Sequence, residues 1–123
     1  MAGGLVSLDL LERDQGSVYV RRNALQSRLE TGLKSAARAA GHALMTQGMP
    51  GNFCTHFSDA EVFWTSGEIA AGSDAAKGRR FRALLREEGI IQGLGNRWFV
   101  SFVLDETDVD DTIERAARAL RRL

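Results

Sequence analysis

The chain has 123 residues, 44% of them apolar and 26% charged, with Lys plus Arg equal to Asp plus Glu at 16 each. At that length one domain is expected to bury roughly two-thirds of the unfolded chain's surface, and the charge balance argues against nucleic acid or an anionic membrane as partner. The single cysteine, Cys54, excludes an intramolecular disulfide framework, no apolar run approaches the ~20 residues of a bilayer span, and no basic leader opens the chain, so a cytoplasmic protein is expected.

Leu5, Leu8 and Leu11, broadened by Val6 and Leu10, predict a short helix over 5–13, broken at Asp14-Gln15-Gly16-Ser17. A longer helix follows to about Ala40. Its apolar positions are Leu25, Leu29, Leu33, Ala36 and Ala40, which leaves Arg22, Gln26, Glu30 and Lys34 for solvent. Gly41 is suited to end it. "HALMTQ" and "NFCTHF" read as strands about the turn "GMPG". The stretch "SDAEVFWTSGEIAAGS" shows no clear period. Ser73 or Asp74 then caps a helix to Glu88 that packs through Phe81, Leu84 and Leu85 and stops at Gly89.

Residues 90–92 and 98–102 read as strands joined by "GLGN". Asp105 and Asp108 form a capping arrangement for a last helix with Val109, Ile113, Ala116 and Leu120 on one face. The expected architecture is α+β: a small antiparallel sheet of about four strands with helices packed on one face, in a single domain over 1–123.

Few residues form a chemical constellation. Cys54 and His56 alternate on a predicted strand and so share a face. A thiolate and imidazole so placed can hold two metal positions or form a nucleophile–base pair. With no other Cys and only His42 besides, a half-buried strand is the better reading. Gly89, Gly93 and Gly95 match no phosphate-loop spacing. Arg97, beside their turn, suits a carboxylate or phosphate, but a solvated arginine is much the better reading. The basic run Lys77, Arg79, Arg80, Arg82 and Arg86 reads as a solvated helix face. Val62, Phe63 and Trp64 either fold over the domain's own core or anchor a partner interface. No set of residues composes a self-contained active site.

In order along the chain, the segments resemble the C-terminal part of the class III, pyridoxal-phosphate-dependent aminotransferases, and most of all glutamate-1-semialdehyde aminomutase and its relatives. "MAGGLVSLDLLER" and "RRNALQSRLETGLKSAARAAGH" are similar to two helices of that part, and "GMPGNFCTHFSD" to its glycine turn and Phe-rich strand. "FRALLREEGIIQ" resembles the helix before a strand, and "RWFVSFVLDETDVDDTIERAARAL" the family's ending. Where the family usually has His-Thr, this chain has Leu104 and Asp105.

The resemblance implies the small C-terminal domain of a fold-type I enzyme, without the large domain that carries the Schiff-base lysine, the aspartate facing the pyridine nitrogen and the phosphate site. Neither Lys34 nor Lys77 lies in a segment like the lysine motif. The implied cofactor is therefore pyridoxal phosphate in the complete enzyme, with none bound by this chain alone and no catalytic residue carried over. The implied partner is the missing large domain or chain, in an enzyme that is a homo-oligomer when complete. The turn with Gly51 and Asn52, and the turn with Arg97, are implied to lie near the substrate cleft.

Overall fold

The computed structural model describes residues 1–123. Its elements are α1 (Ala2–Ala39), β1 (Met45–Met49), β2 (Asn52–His56), α2 (Ser66–Gly72), α3 (Ala75–Glu87), β3 (Arg97–Phe99) and α4 (Glu106–Arg121). The expected break in α1 is present. Arg13 is extended, with ψ 144°, and Asp14, Gln15 and Gly16 take φ of 50°, 57° and 73°, three consecutive left-handed residues that no helix contains.

The fold is α+β, as expected, with a three-stranded antiparallel sheet of order β1-β2-β3. Met45 stands opposite His56, Gln47 opposite Cys54, Asn52 opposite Phe99, and Cys54 opposite Arg97. Because side chains alternate, one face carries Phe53, Thr55 and Trp98 and the other carries Asn52, Cys54, His56, Gln47, Arg97 and Phe99.

The first face is the core face. Phe53 and Trp98 stack there with ring centroids 6.1 Å apart and planes 4° from parallel. Leu25, Leu29 and Leu33 of α1, Phe81, Leu84 and Leu85 of α3, and Val109, Ala116 and Leu120 of α4 close the core over them. Each fully buried leucine contributes about 1.5–3 kcal/mol of transfer free energy. α1 and α4 approach closely because Gly32 has no side chain: a Cβ there would lie 2.3 Å from Ile113 Cδ1. Arg28 ties the same pair by donating from Nε and Nη2 to the two carboxylate oxygens of Asp110, at 2.7 and 2.8 Å.

The caps follow the sequence. Asp74 accepts from Lys77 N–H at the start of α3, and Asp105 and Asp108 form a reciprocal capping box at α4. One helix was not foreseen: α2 begins at a second capping box, Thr65 with Glu68, a Thr-x-x-Glu signature that is legible in the sequence.

The fourth strand expected at 90–92 does not form. Gly89, with φ 83°, reverses the chain so that Ile90 N–H returns to Leu85 C=O at 2.8 Å, which closes the end of α3. The next residues run past the sheet edge, and only Gly93 makes a bridge, to Arg97. Gln92 turns inward instead and is 5% exposed. β1 also begins three residues later than expected and continues to Met49, so the turn is confined to Pro50 and Gly51.

Candidate functional site

The β1–β2 turn is built from α1. Gly51 has φ 91°, and a Cβ there would lie 3.1 Å from Arg22 Nη1. The guanidinium packs against the turn because glycine leaves that space. Arg22 also lies over the rings of Tyr19 and Phe102, 5.4 and 4.8 Å from their centroids, in cation–π geometry.

Gln26 clamps the turn. It accepts from Gly51 N–H at 2.6 Å and donates from Nε2 to Met49 C=O at 3.2 Å and to Glu30 Oε1 at 2.9 Å. The apolar spacing of α1 leaves Gln26 for solvent, but it is buried, 8% exposed. The physical reason is that a turn crossing a helix has backbone groups without ladder partners, and a buried amide satisfies both kinds. No local pattern distinguishes that glutamine from an exposed one.

Asn52 and Arg97 share the outer face of the sheet, with Cys54 beside Asn52 along β2 and opposite Arg97. Arg97 is exposed, and no carboxylate lies within ion-pair distance of it. Phe99, on the same face, is 64% exposed. Gly51 stands at the rim, its C=O accepting from Val100 N–H at 3.0 Å. The structure thus places Gly51, Asn52 and Arg97 around one open, partly apolar surface.

The aromatic stretch divides. Gln47 pairs with the backbone of Phe63 in both directions, donating to its C=O at 2.7 Å and accepting from its N–H at 2.8 Å. That pairing draws the Phe63 ring down edge-on to His56, 5.8 Å away, where it is 6% exposed. Val62 and Trp64, on either side, are 43% and 81% exposed. Burial beneath this stretch holds the His56 imidazole below its ordinary pKa of 6.5, because desolvation disfavours the charged ring. Cys54 is half-buried, and no cluster of three or more potential ligands surrounds it or any other site.

The implied cofactor can be tested against the lysines. Its bonding lysine needs a desolvated pocket and an acid opposite the ring nitrogen. Lys34 is exposed on α1, at the edge of an open cleft of about 680 Å³ shared with Arg38, Thr46, Asp59 and Glu61. Lys77 holds its Nζ 5.8 Å above the Phe57 ring. Neither environment encloses a ring or a phosphate, so the residues present do not fit the cofactor.

No family model matches the chain. Over 122 residues it is 33% identical to a glutamate-1-semialdehyde 2,1-aminomutase of Thermomicrobium roseum, a match that covers 98% of this chain and 27% of that protein. Over 125 residues it is 29% identical to the enzyme of the same name from Thermodesulfovibrio yellowstonii, covering all of this chain and 28% of that one. The chain therefore spans about a quarter of the length of the curated relatives it matches, in their C-terminal part. Its fold is shared with a crystal structure of an omega-transaminase from Sphaerobacter thermophilus, with a TM-score of 0.79 at 19% identity over 96% of this chain and 26% of that one.

Proposed function

Since the chain is a relative of the C-terminal part of the glutamate-1-semialdehyde aminomutases, we propose that it serves as the small domain of a pyridoxal-phosphate-dependent aminotransferase or aminomutase. In that role it shapes the substrate cleft and does no chemistry alone. The observation that carries this reading is the extent of the match: essentially the whole chain aligns, and it aligns with one contiguous quarter of each relative. An end-to-end match favours an enzyme part over a binding module built on a borrowed scaffold.

The cofactor, held by a large domain, supplies an electron sink for an amino-acid-like substrate. This chain supplies a wall. The Gly51 turn, locked by Gln26, and the outer face with Asn52 and Arg97 stand on rigid elements. Rigidity of that kind is what a cleft needs to orient a substrate and exclude water. Arg97, free of an acidic partner, suits a substrate carboxylate. The complete enzyme is a homo-oligomer of the cytoplasm in this reading. Exposed Val62 and Trp64 are the proposed contribution of this chain to a protein contact, while Phe63 holds them in place.

The test is reconstitution. The purified chain with pyridoxal phosphate and an amino acid is expected to give neither cofactor absorbance nor amino transfer. Replacing the matching quarter of the Thermomicrobium roseum aminomutase with this chain is expected to give a cofactor-binding protein. Turnover by the chain alone would overturn the proposal.

A further inference from the structure

The sheet ends on one side at β1, and that edge is open. Thr55 N–H turns toward β3, where it donates to Asn96 C=O at 3.1 Å. Thr46 stands opposite Thr55. It therefore directs its own N–H and C=O away from β2, because bonded and non-bonded pairs alternate along an antiparallel ladder. By the same alternation Gly48, opposite Phe53, does likewise. Neither residue's backbone finds a partner among the bonds outside the ladders, so a row of unpaired peptide groups runs along the edge.

This edge is the floor of a groove. Thr46 points its hydroxyl at α1, where it donates to Glu30 Oε2 at 2.6 Å. Gln47 points the opposite way, to the loop after β2, where it holds the Phe63 backbone. One wall is thus α1 and the other is that loop. The open cleft of about 680 Å³ lies between them at Met45 and Thr46, and a hollow of about 210 Å³ lies further along the same strand, between Ser27 and Gly48. The two walls of the cleft carry opposite charge: Lys34 and Arg38, one turn apart, line the α1 wall, and Asp59 and Glu61 line the loop wall. None of the four takes part in an ion pair. The loop is fixed without them, since Ser58 Oγ donates to Gly72 C=O at 2.7 Å and accepts from Ala60 N–H at 3.1 Å.

We propose that this groove receives an extended segment of another polypeptide, which adds as a strand to the free edge of β1 and carries acidic and basic side chains in alternation. Main-chain bonds to Thr46 and Gly48 supply the docking. Successive side chains of a strand point to opposite faces, so an added strand presents every second side chain to α1 and the others to the loop. Carboxylates suit the wall of Lys34 and Arg38, and cationic groups suit the wall of Asp59 and Glu61. Charges beside an open edge deter pairing with an apolar strand. The same four side chains therefore admit an alternating segment and turn away an uncharged one. The proposal uses only the edge and charges of this chain and does not depend on the proposed function.

The deciding experiment titrates the chain with short labelled peptides, read by fluorescence anisotropy and amide exchange. A peptide of alternating glutamate and lysine is expected to bind saturably and to slow exchange of the Thr46 and Gly48 amides at least ~10-fold. The same residues in two blocks are expected to bind about tenfold more weakly, the scale of a few exposed ion pairs, and the alternating peptide N-methylated throughout is expected not to bind. Equal affinity for the block peptide would show that alternation is not read. Equal affinity for the methylated one would show that the edge is not used. Either result, or no saturable binding of the alternating peptide, overturns the proposal. Lys34, Arg38, Asp59 and Glu61 are exposed, so reversing their charge spares the core. Lys34→Glu with Arg38→Glu is expected to shift preference to an all-lysine peptide, and Asp59→Lys with Glu61→Lys to an all-glutamate one. An unchanged preference in either folded variant would refute the assignment of the walls.

Discussion

Thr55 shows how much one hydroxyl can hold. It is 2% exposed and accepts from Gln92 Nε2 and Trp98 Nε1, both at 3.1 Å. Thr55→Val keeps the shape and strands two buried N–H groups. It is expected to lower unfolding free energy by about 2–4 kcal/mol, measured by urea denaturation. His56 supplies a pH signature. Its folded pKa lies below the ordinary 6.5 because of burial, so the unfolded chain takes up the proton first. Stability is complete above about pH 6.5 and is lost as pH falls from there through the folded value. The melting temperature of His56→Gln is expected to vary less between pH 7 and 5 than that of the unmodified chain. Asp110 acts lower on the scale. Its hydrogen bond with Arg28 depresses the carboxyl below its ordinary 3.8, so the pair stabilises above that value and fades as pH falls through the depressed one. Both groups are solvent-exposed, which keeps the effect small.

At the scale of elements, the contact between α1 and α4 depends on an absence. Gly32 weakens the helix intrinsically, by roughly 1 kcal/mol against alanine. Yet a Cβ would lie 2.7 Å from Ile113 Cγ1 and 3.1 Å from Cγ2, not only against the mobile end of that side chain. Overpacking is therefore expected to outweigh propensity. Gly32→Ala should destabilise by about 1–2 kcal/mol, and combining it with Ile113→Val should recover part of the loss in the same denaturation assay. A stabilised single variant would show that the helices separate more freely than their packing implies. The sheet has a corresponding constraint at Gly48, where a Cβ would sit 2.4 Å from Asn52 O, inside the hairpin that presents Gly51.

The whole molecule has one finished face and one open one. Helices seal the core side, while Met49, Ile91, Leu94 and Phe99 remain 74%, 86%, 87% and 64% exposed. With no net charge to oppose association, such surface promotes self-association. Ile91→Ser with Leu94→Ser is expected to raise the concentration at which the chain stays monodisperse in sizing, without a change in melting temperature. A melting temperature lowered by several degrees would mean that these side chains contribute to the fold. No helix is long and apolar enough to cross a membrane.

Local physics made much of this chain legible in advance. Helix positions follow from apolar spacing, caps from Asp74 and Asp105, and the break in α1 from Asp14-Gln15-Gly16, because each depends on residues a few places apart. The ordered motifs likewise pointed to the family part that the relatives bear out. The tertiary structure alone decided that Gln26 turns inward, that Phe63 is buried between exposed Val62 and Trp64, and that 90–92 closes a helix end and forms no strand. Those outcomes turn on which distant backbone groups need a partner: the Gly51 turn over α1, the Phe63 backbone opposite Gln47, the Thr55 hydroxyl beneath Gln92. Partners brought together from 16 to 37 residues away leave no periodic trace along the chain, and only the folded arrangement could choose them.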